Sequence, residues 1–155
     1  VYSVGDKFSF YFAGTALVIG MASLLNAKLV SRIKLDSIVT YALIWSWVCS
    51  AAFLILALNY VTIDLLAFLL FSALVFTTFG FLFSNFNAMA LEPMGHIAGT
   101  ASALIATVSN IIALCMGAIS SYFFSGSPTP LIAVFFINST TAICIIFYLK
   151  RFSIR

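Results

Sequence analysis

Two titratable side chains four residues apart, Glu92 and His96, sit in a short polar stretch between two long apolar ones. A carboxylate and an imidazole at this spacing could relay a proton or form a pH-dependent gate, because histidine titrates near neutrality. Pro93 and Gly95 lie between them, and both disfavour a continuing helix, so a turn with solvated side chains is the simpler reading. Ser72, Phe76, Phe79 and Phe83 recur at intervals of three or four and share one helix face. Such a wall, aromatic with one hydroxyl, suits a cavity for bulky apolar compounds, and it equally suits packing against lipid or a neighbouring helix. Gly99, Ala103, Thr107, Asn110, Ala113, Gly117 and Ser121 recur in the same way and make a stripe of small side chains for close helix approach. Asn110 falls near the middle of its apolar run, and a buried amide needs partners, so it is expected to face protein or a wet cavity. Asn26 closes an apolar run just before Lys28, where terminal capping is the simplest role. Asp64 opens another, where the positive end of a helix favours a carboxylate.

Little else in the chain could do chemistry. No nucleophile stands beside a base, no carboxylate pair lies inside an apolar run and no glycine-rich phosphate loop is present, so an enzyme is not expected. Cys49, Cys115 and Cys144 all fall in apolar runs without metal-ligand spacing, and are read as small buried apolar residues. No metal and no cofactor is implied. The net charge of +3 comes from few basic residues placed at the ends of apolar runs. That is too sparse to neutralise a row of phosphates, so nucleic acid is not an expected partner.

The elements that must position these residues follow from composition. The chain is 64% hydrophobic and 7% charged, where a soluble domain carries about 25% charge. It is expected to be an all-α membrane protein with the lipid bilayer as its main partner. Charge-free runs cover Phe8 to Ala27, Ser37 to Ile63, Leu65 to Leu91 and Ile97 to Leu149. A helix of about 20 residues crosses the hydrocarbon. The last run is too long for one crossing and is divided by the turn residues Ser125-Gly126-Ser127-Pro128-Thr129-Pro130. Five transmembrane helices are expected, at about 8–27, 38–59, 65–88, 98–123 and 131–149, in a single bundle. None of the runs alternates polar with apolar as a membrane strand would. With Val1 outside, five crossings put Lys28, Arg32, Lys34, Lys150, Arg151 and Arg155 in the cytoplasm and leave only Lys7 outside, as the positive-inside bias requires. The hinge at Glu92 and His96 and the C-terminus are then cytoplasmic. The chain begins at Val1 with no signal peptide before its first apolar run, so it is expected to be the later part of a longer polypeptide.

Two stretches carry a resemblance. One runs from Tyr11-Phe12-Ala13 through Ala22-Ser23-Leu24-Leu25-Asn26-Ala27-Lys28-Leu29-Val30 to Arg32. The other runs from Asn85 to Leu104 and centres on Met89-Ala90-Leu91-Glu92-Pro93-Met94-Gly95-His96-Ile97-Ala98-Gly99-Thr100-Ala101-Ser102-Ala103. The sequence resembles the C-terminal half of a major facilitator superfamily transporter of the bicyclomycin/chloramphenicol-resistance drug:proton antiporter type. The stretch from Tyr11 to Arg32 is similar to that family's eighth helix and the basic loop after it, though Ile33 stands where the family usually has glycine. The stretch from Asn85 to Leu104 is similar to the junction of its tenth and eleventh helices. The resemblance implies most of the C-terminal six-helix bundle, proton-coupled efflux of small apolar compounds, and a bacterial inner membrane. It implies an N-terminal bundle, which carries the family's proton-coupling acids, as a further partner. On this mapping Ser72, Phe76, Phe79, Phe83, Thr107 and Asn110 would line the substrate cavity. Gly99, Ser102 and Gly117 would permit close packing as the bundles rock, while Asn26, Lys28, Arg32, Glu92, Pro93 and His96 would belong to the cytoplasmic loops and gate. A nutrient carrier of the same superfamily, and a small non-transport membrane subunit or assembly factor, are the alternatives.

Overall fold

The computed structural model describes residues 5–59, 63–124 and 126–153, and every element among them is helical. A short 3-10 turn, Gly5–Lys7, leads into α1 (Phe8–Leu29), followed by α2 (Leu35–Asn59), α3 (Leu65–Leu91), α4 (Ala98–Tyr122) and α5 (Thr129–Ser153). The helices follow the charge-free runs read from the sequence to within a few residues, because the flanking polar residues still satisfy helical hydrogen bonds. Tyr60, Ser125 and Arg155, and residues 1–4, lie outside the described residues.

The hinge is tighter than a loop. Glu92–Ile97 winds as a 3-10 helix with Pro93 in its first turn, where the missing proline N–H costs nothing. Met94 (φ −112°, ψ 24°) and Ile97 (φ −128°, ψ 25°) leave the helical region and bend the chain there. The run Leu65–Tyr122 is therefore one helical segment of 58 residues in hydrogen bonding, but not one rod. Phe68, near the start of α3, shares a cavity with Gly117 and Ser121 at the end of α4, so α4 returns alongside α3. Counted as uninterrupted segments, four are long and apolar enough to cross a membrane.

Side-chain contacts give the order of packing. α1 lies against α3, α3 against α2, and α2 against α5. α1, α3 and α5 run one way: Phe8, Phe68 and Leu131 meet at one end. α2 runs the other way, with Trp47 Nε1 donating to Thr140 Oγ1 at 2.9 Å and Phe53 against Phe71 at 5.1 Å between ring centroids. The core is Cys49, Phe53 and Ala57 of α2, Phe71 and Val75 of α3 and Ile132 of α5, flanked by Phe68, Phe76 and Phe135. Outside it the helices remain apolar on faces that nothing covers. Phe10 is 79% exposed, Leu58 73% and Leu114 73%. In water such surface would drive association; in hydrocarbon it is the stable arrangement, and the chain is read as an integral membrane protein.

One end of the bundle gathers the charges. Lys28, Arg32 and Lys34 surround the α1–α2 connection, and Lys150 near the end of α5 reaches back to Asp36 (2.8 Å) and Thr40 Oγ1 (3.0 Å) at the start of α2. Lys7 and Asp64 lie at the opposite end. The Lys150 and Asp36 side chains are 38% and 53% exposed, so solvent screens the pair. Asp36→Asn is expected to cost less than about 1 kcal/mol, and melting in low and high salt should show that cost disappearing at high salt.

Candidate functional site

α1 and α3 cross at Gly80. A Cβ there would stand 2.6 Å from Ala22 Cβ, 2.7 Å from the Ile19 carbonyl oxygen and 2.8 Å from the Ser23 amide nitrogen. Only glycine allows that approach, and Ser23 Oγ uses it to donate to the Gly80 carbonyl at 3.4 Å. About one turn further on, the same crossing brings two asparagines together. Asn26 Nδ2 donates to Asn85 Oδ1 at 3.1 Å, and Asn85 Nδ2 donates back to Asn26 Oδ1 at 2.8 Å. Asn26 Nδ2 also reaches Ser84 Oγ at 3.3 Å. Both amides are buried, Asn26 4% and Asn85 2% exposed, and their pairing satisfies groups that hydrocarbon could not solvate.

Around this clasp opens a groove of about 1020 Å³, walled by Ile19, Ala27 and Val30 of α1 and its end and by Phe79, Phe83 and Phe86 of α3. Its lining is apolar except for the amides and the Ser23 and Ser84 hydroxyls. An apolar surface with a few convergent polar groups is the general form of a small-molecule site.

The residues proposed from the sequence divide among several places. Phe79, Phe83 and Asn26 do meet in this groove. Phe76 stacks on Phe79 at 5.3 Å and both approach Phe135 of α5, so these two rings are also core contacts. Ser72 is buried beside a separate cavity of about 180 Å³, and its hydroxyl donates to the Phe68 carbonyl. Thr107 likewise donates to Ala103. Helical hydroxyls in such surroundings bond to the preceding turn, which leaves both without a free donor for a substrate. Thr107 and Asn110 sit on an exposed face of α4.

Two expectations, the Asn26 cap and the burial of all three cysteines, need correction. Asn26 does not cap α1: the helix continues to Leu29, and the amide is buried against α3 because a polar group at that depth finds its partner across the crossing. The packing expected of Gly99, Ser102 and Gly117 is against a second bundle, and among the described residues no neighbour meets the two glycines. A Cβ at either glycine would meet nothing within 4 Å, and Ser102 Oγ bonds its own helix at Gly99; Gly80 is the glycine at a close crossing. Of the cysteines, Cys49 is buried, whereas Cys115 and Cys144 are exposed on outward faces of α4 and α5, where apolar character serves contact with lipid rather than with the core.

At the charged end, Lys28 lies in the last turn of α1 and Arg32 in the connection after it. Glu92, Pro93 and His96 are all exposed on the 3-10 hinge, and Glu92 and His96 make no ion pair with each other among the described residues. No cluster of three metal-ligating side chains occurs among the described residues. Asn85, Ser84 and Gly80 are the site residues that sequence reasoning did not single out. The signal for Asn85 was its place as the first residue of the hinge stretch, one of few amides in an apolar run. Comparison of the chain with protein families, with curated proteins and with solved structures finds no match.

Proposed function

We propose that the chain forms most of the C-terminal bundle of a major facilitator superfamily transporter of the drug:proton antiporter type, crossing a bacterial inner membrane five times with the hinge and the C-terminus in the cytoplasm. The observation that carries this reading is the uneven packing of the helices. α1, α3, α2 and α5 form one joined body, but α4 meets α3 and α5 only sparsely, and Ala101 is its sole buried residue. Asn110, halfway along α4, has no hydrogen-bond partner among the described residues. An amide at mid-span needs one in hydrocarbon, so this face of α4 is suited to a wet cavity or a second bundle rather than to lipid. Carriers that rock two bundles about a central site present such a face. The groove between α1 and α3 fits a small apolar compound, with Phe79 and Phe83 as stacking surface. The coupling to protons rests on the family resemblance alone.

The test is drug susceptibility. This chain together with the N-terminal bundle of the proposed transporter, expressed in an efflux-deficient bacterium, is expected to raise the inhibitory concentration of apolar drugs several-fold, and collapsing the proton gradient should remove the effect. Unchanged susceptibility across a drug panel, with the chain verified in the membrane, would defeat the export reading. A non-transport subunit that uses the α4 face for a permanent partner would give that second result and co-purify with its partner.

A further inference from the structure

A second groove, on the same stretch of α3 as the amide clasp but lined by other residues, has the chemistry of a lipid site. It holds about 240 Å³ and lies among the end of α1, the start of α2 and the middle of α3, lined by Leu29, Ile33, Ile38, Tyr41, Trp45 and Phe81 among others. Apart from the Tyr41 hydroxyl, which has no partner among the described residues, its polar wall groups are engaged. Thr77 Oγ1 donates to Ala73, Thr78 Oγ1 to Val75 and Trp45 Nε1 to the Leu74 carbonyl. Little in the wall is left to recognise a polar solute, so the surface fits an aliphatic chain.

Two basic residues adjoin this groove in the chain. Ile33 lines it, and its chain neighbours Arg32 and Lys34 are exposed and form no ion pair or side-chain hydrogen bond among the described residues. The Lys34 carbonyl accepts from the Ser37 and Ile38 amides, so Lys34 begins α2 and stands at the positive end of its dipole. The one carboxylate nearby, Asp36, is taken up by Lys150 at 2.8 Å. Two exposed, uncompensated cations on either side of a residue that lines an apolar groove, at a helix end, complement a phosphodiester on an acyl chain.

We propose that this groove binds an anionic phospholipid, one acyl chain lying between Ile38, Trp45 and Phe81 and the headgroup phosphate held by Arg32 and Lys34. The inference rests on the membrane reading of the chain but not on the transport reading. Anionic lipid there would tie the α1–α2 connection to α3 and stiffen the charged end of the bundle.

The experiment is native mass spectrometry and melting of the detergent-solubilised full chain with added phosphatidylglycerol or phosphatidylcholine. Each near-surface cation is worth about fivefold in affinity for an anionic lipid, so R32Q/K34Q should weaken phosphatidylglycerol binding about 25-fold while leaving the unliganded melting temperature unchanged. A42F, which fills the groove from its wall, should reduce retention of the same lipid with the cations intact. Equal retention of the two lipids, or undiminished phosphatidylglycerol binding by R32Q/K34Q, overturns the proposal. Either result would be read on a chain already extracted from the membrane fraction, so it leaves the membrane reading standing; a chain that never enters that fraction overturns both.

Discussion

Gly80→Leu is expected to pry α1 from α3 and abolish the stable fold in detergent. The atoms that a Cβ would strike are Ala22 Cβ at 2.6 Å, the Ile19 carbonyl at 2.7 Å and the Ser23 amide at 2.8 Å. Two of the three are backbone, so no rotamer change relieves the clash and the helices must separate. Gly80→Ala, the smallest change, should already cost about 1–3 kcal/mol. The control is Gly20→Ala on α1, where nothing lies within 4 Å of the added carbon. There the helix gains backbone order, and stability should rise by up to about 1 kcal/mol. Opposite signs for the same chemical change, read by unfolding in one detergent, isolate the crossing from helix propensity. Equal effects would mean that α1 and α3 do not meet at Gly80.

The other large effect concerns the paired amides. Replacing Asn85 by leucine removes both bonds to Asn26 and leaves the buried Asn26 carboxamide with the Ser84 hydroxyl alone, its oxygen facing an apolar side chain. The expected cost is about 1–3 kcal/mol, most of it the desolvation of the orphaned partner. The converse change, Asn26→Leu, orphans Asn85 and should cost about the same. In N26L/N85L neither amide remains to be satisfied, so the double variant should be more stable than the two single losses added together, by about 1–2 kcal/mol of coupling. Simple additivity would show that the amides act independently. The same pair fixes which turn of α1 lies against which turn of α3, a registry role for buried polar groups; on the export reading proposed above, drug export by the double variant should fall even where its stability is restored.

Much of the architecture could be read from the residues. Runs without charge became helices with ends shifted by only a few positions, because hydropathy and length suffice when the solvent is lipid. The hinge was marked by Pro93 and Gly95, and the placing of the charges at one end came from where Lys28, Arg32, Lys34, Lys150 and Arg151 stand between runs. The partners of the candidate site were harder to see. Asn26 and Asn85 are 59 positions apart, and spacing along one helix says which residues share a face, not which face meets which. Gly80 lay hidden among Phe76, Phe79, Phe81 and Phe83, whose bulk drew attention to a cavity wall. The small-residue stripe on α4 was visible, but not the surface it serves, since among the described residues nothing comes within 4 Å of a Cβ at Gly99 or Gly117. Ser72 and Thr107 resembled substrate contacts because a sequence shows a hydroxyl but not that the preceding turn has already claimed it.

The sparse attachment of α4 has a mechanical consequence. Four helices pack together, but α4 meets α3 and α5 only sparsely and leaves α3 through the Met94–Ile97 bend. It therefore has a soft swinging mode that costs no core contact, and its opening free energy should be the lowest of any long helix. Under rising temperature α4 should loosen first, in a step of its own, while the amide clasp and the phenylalanine cluster hold the remaining helices together.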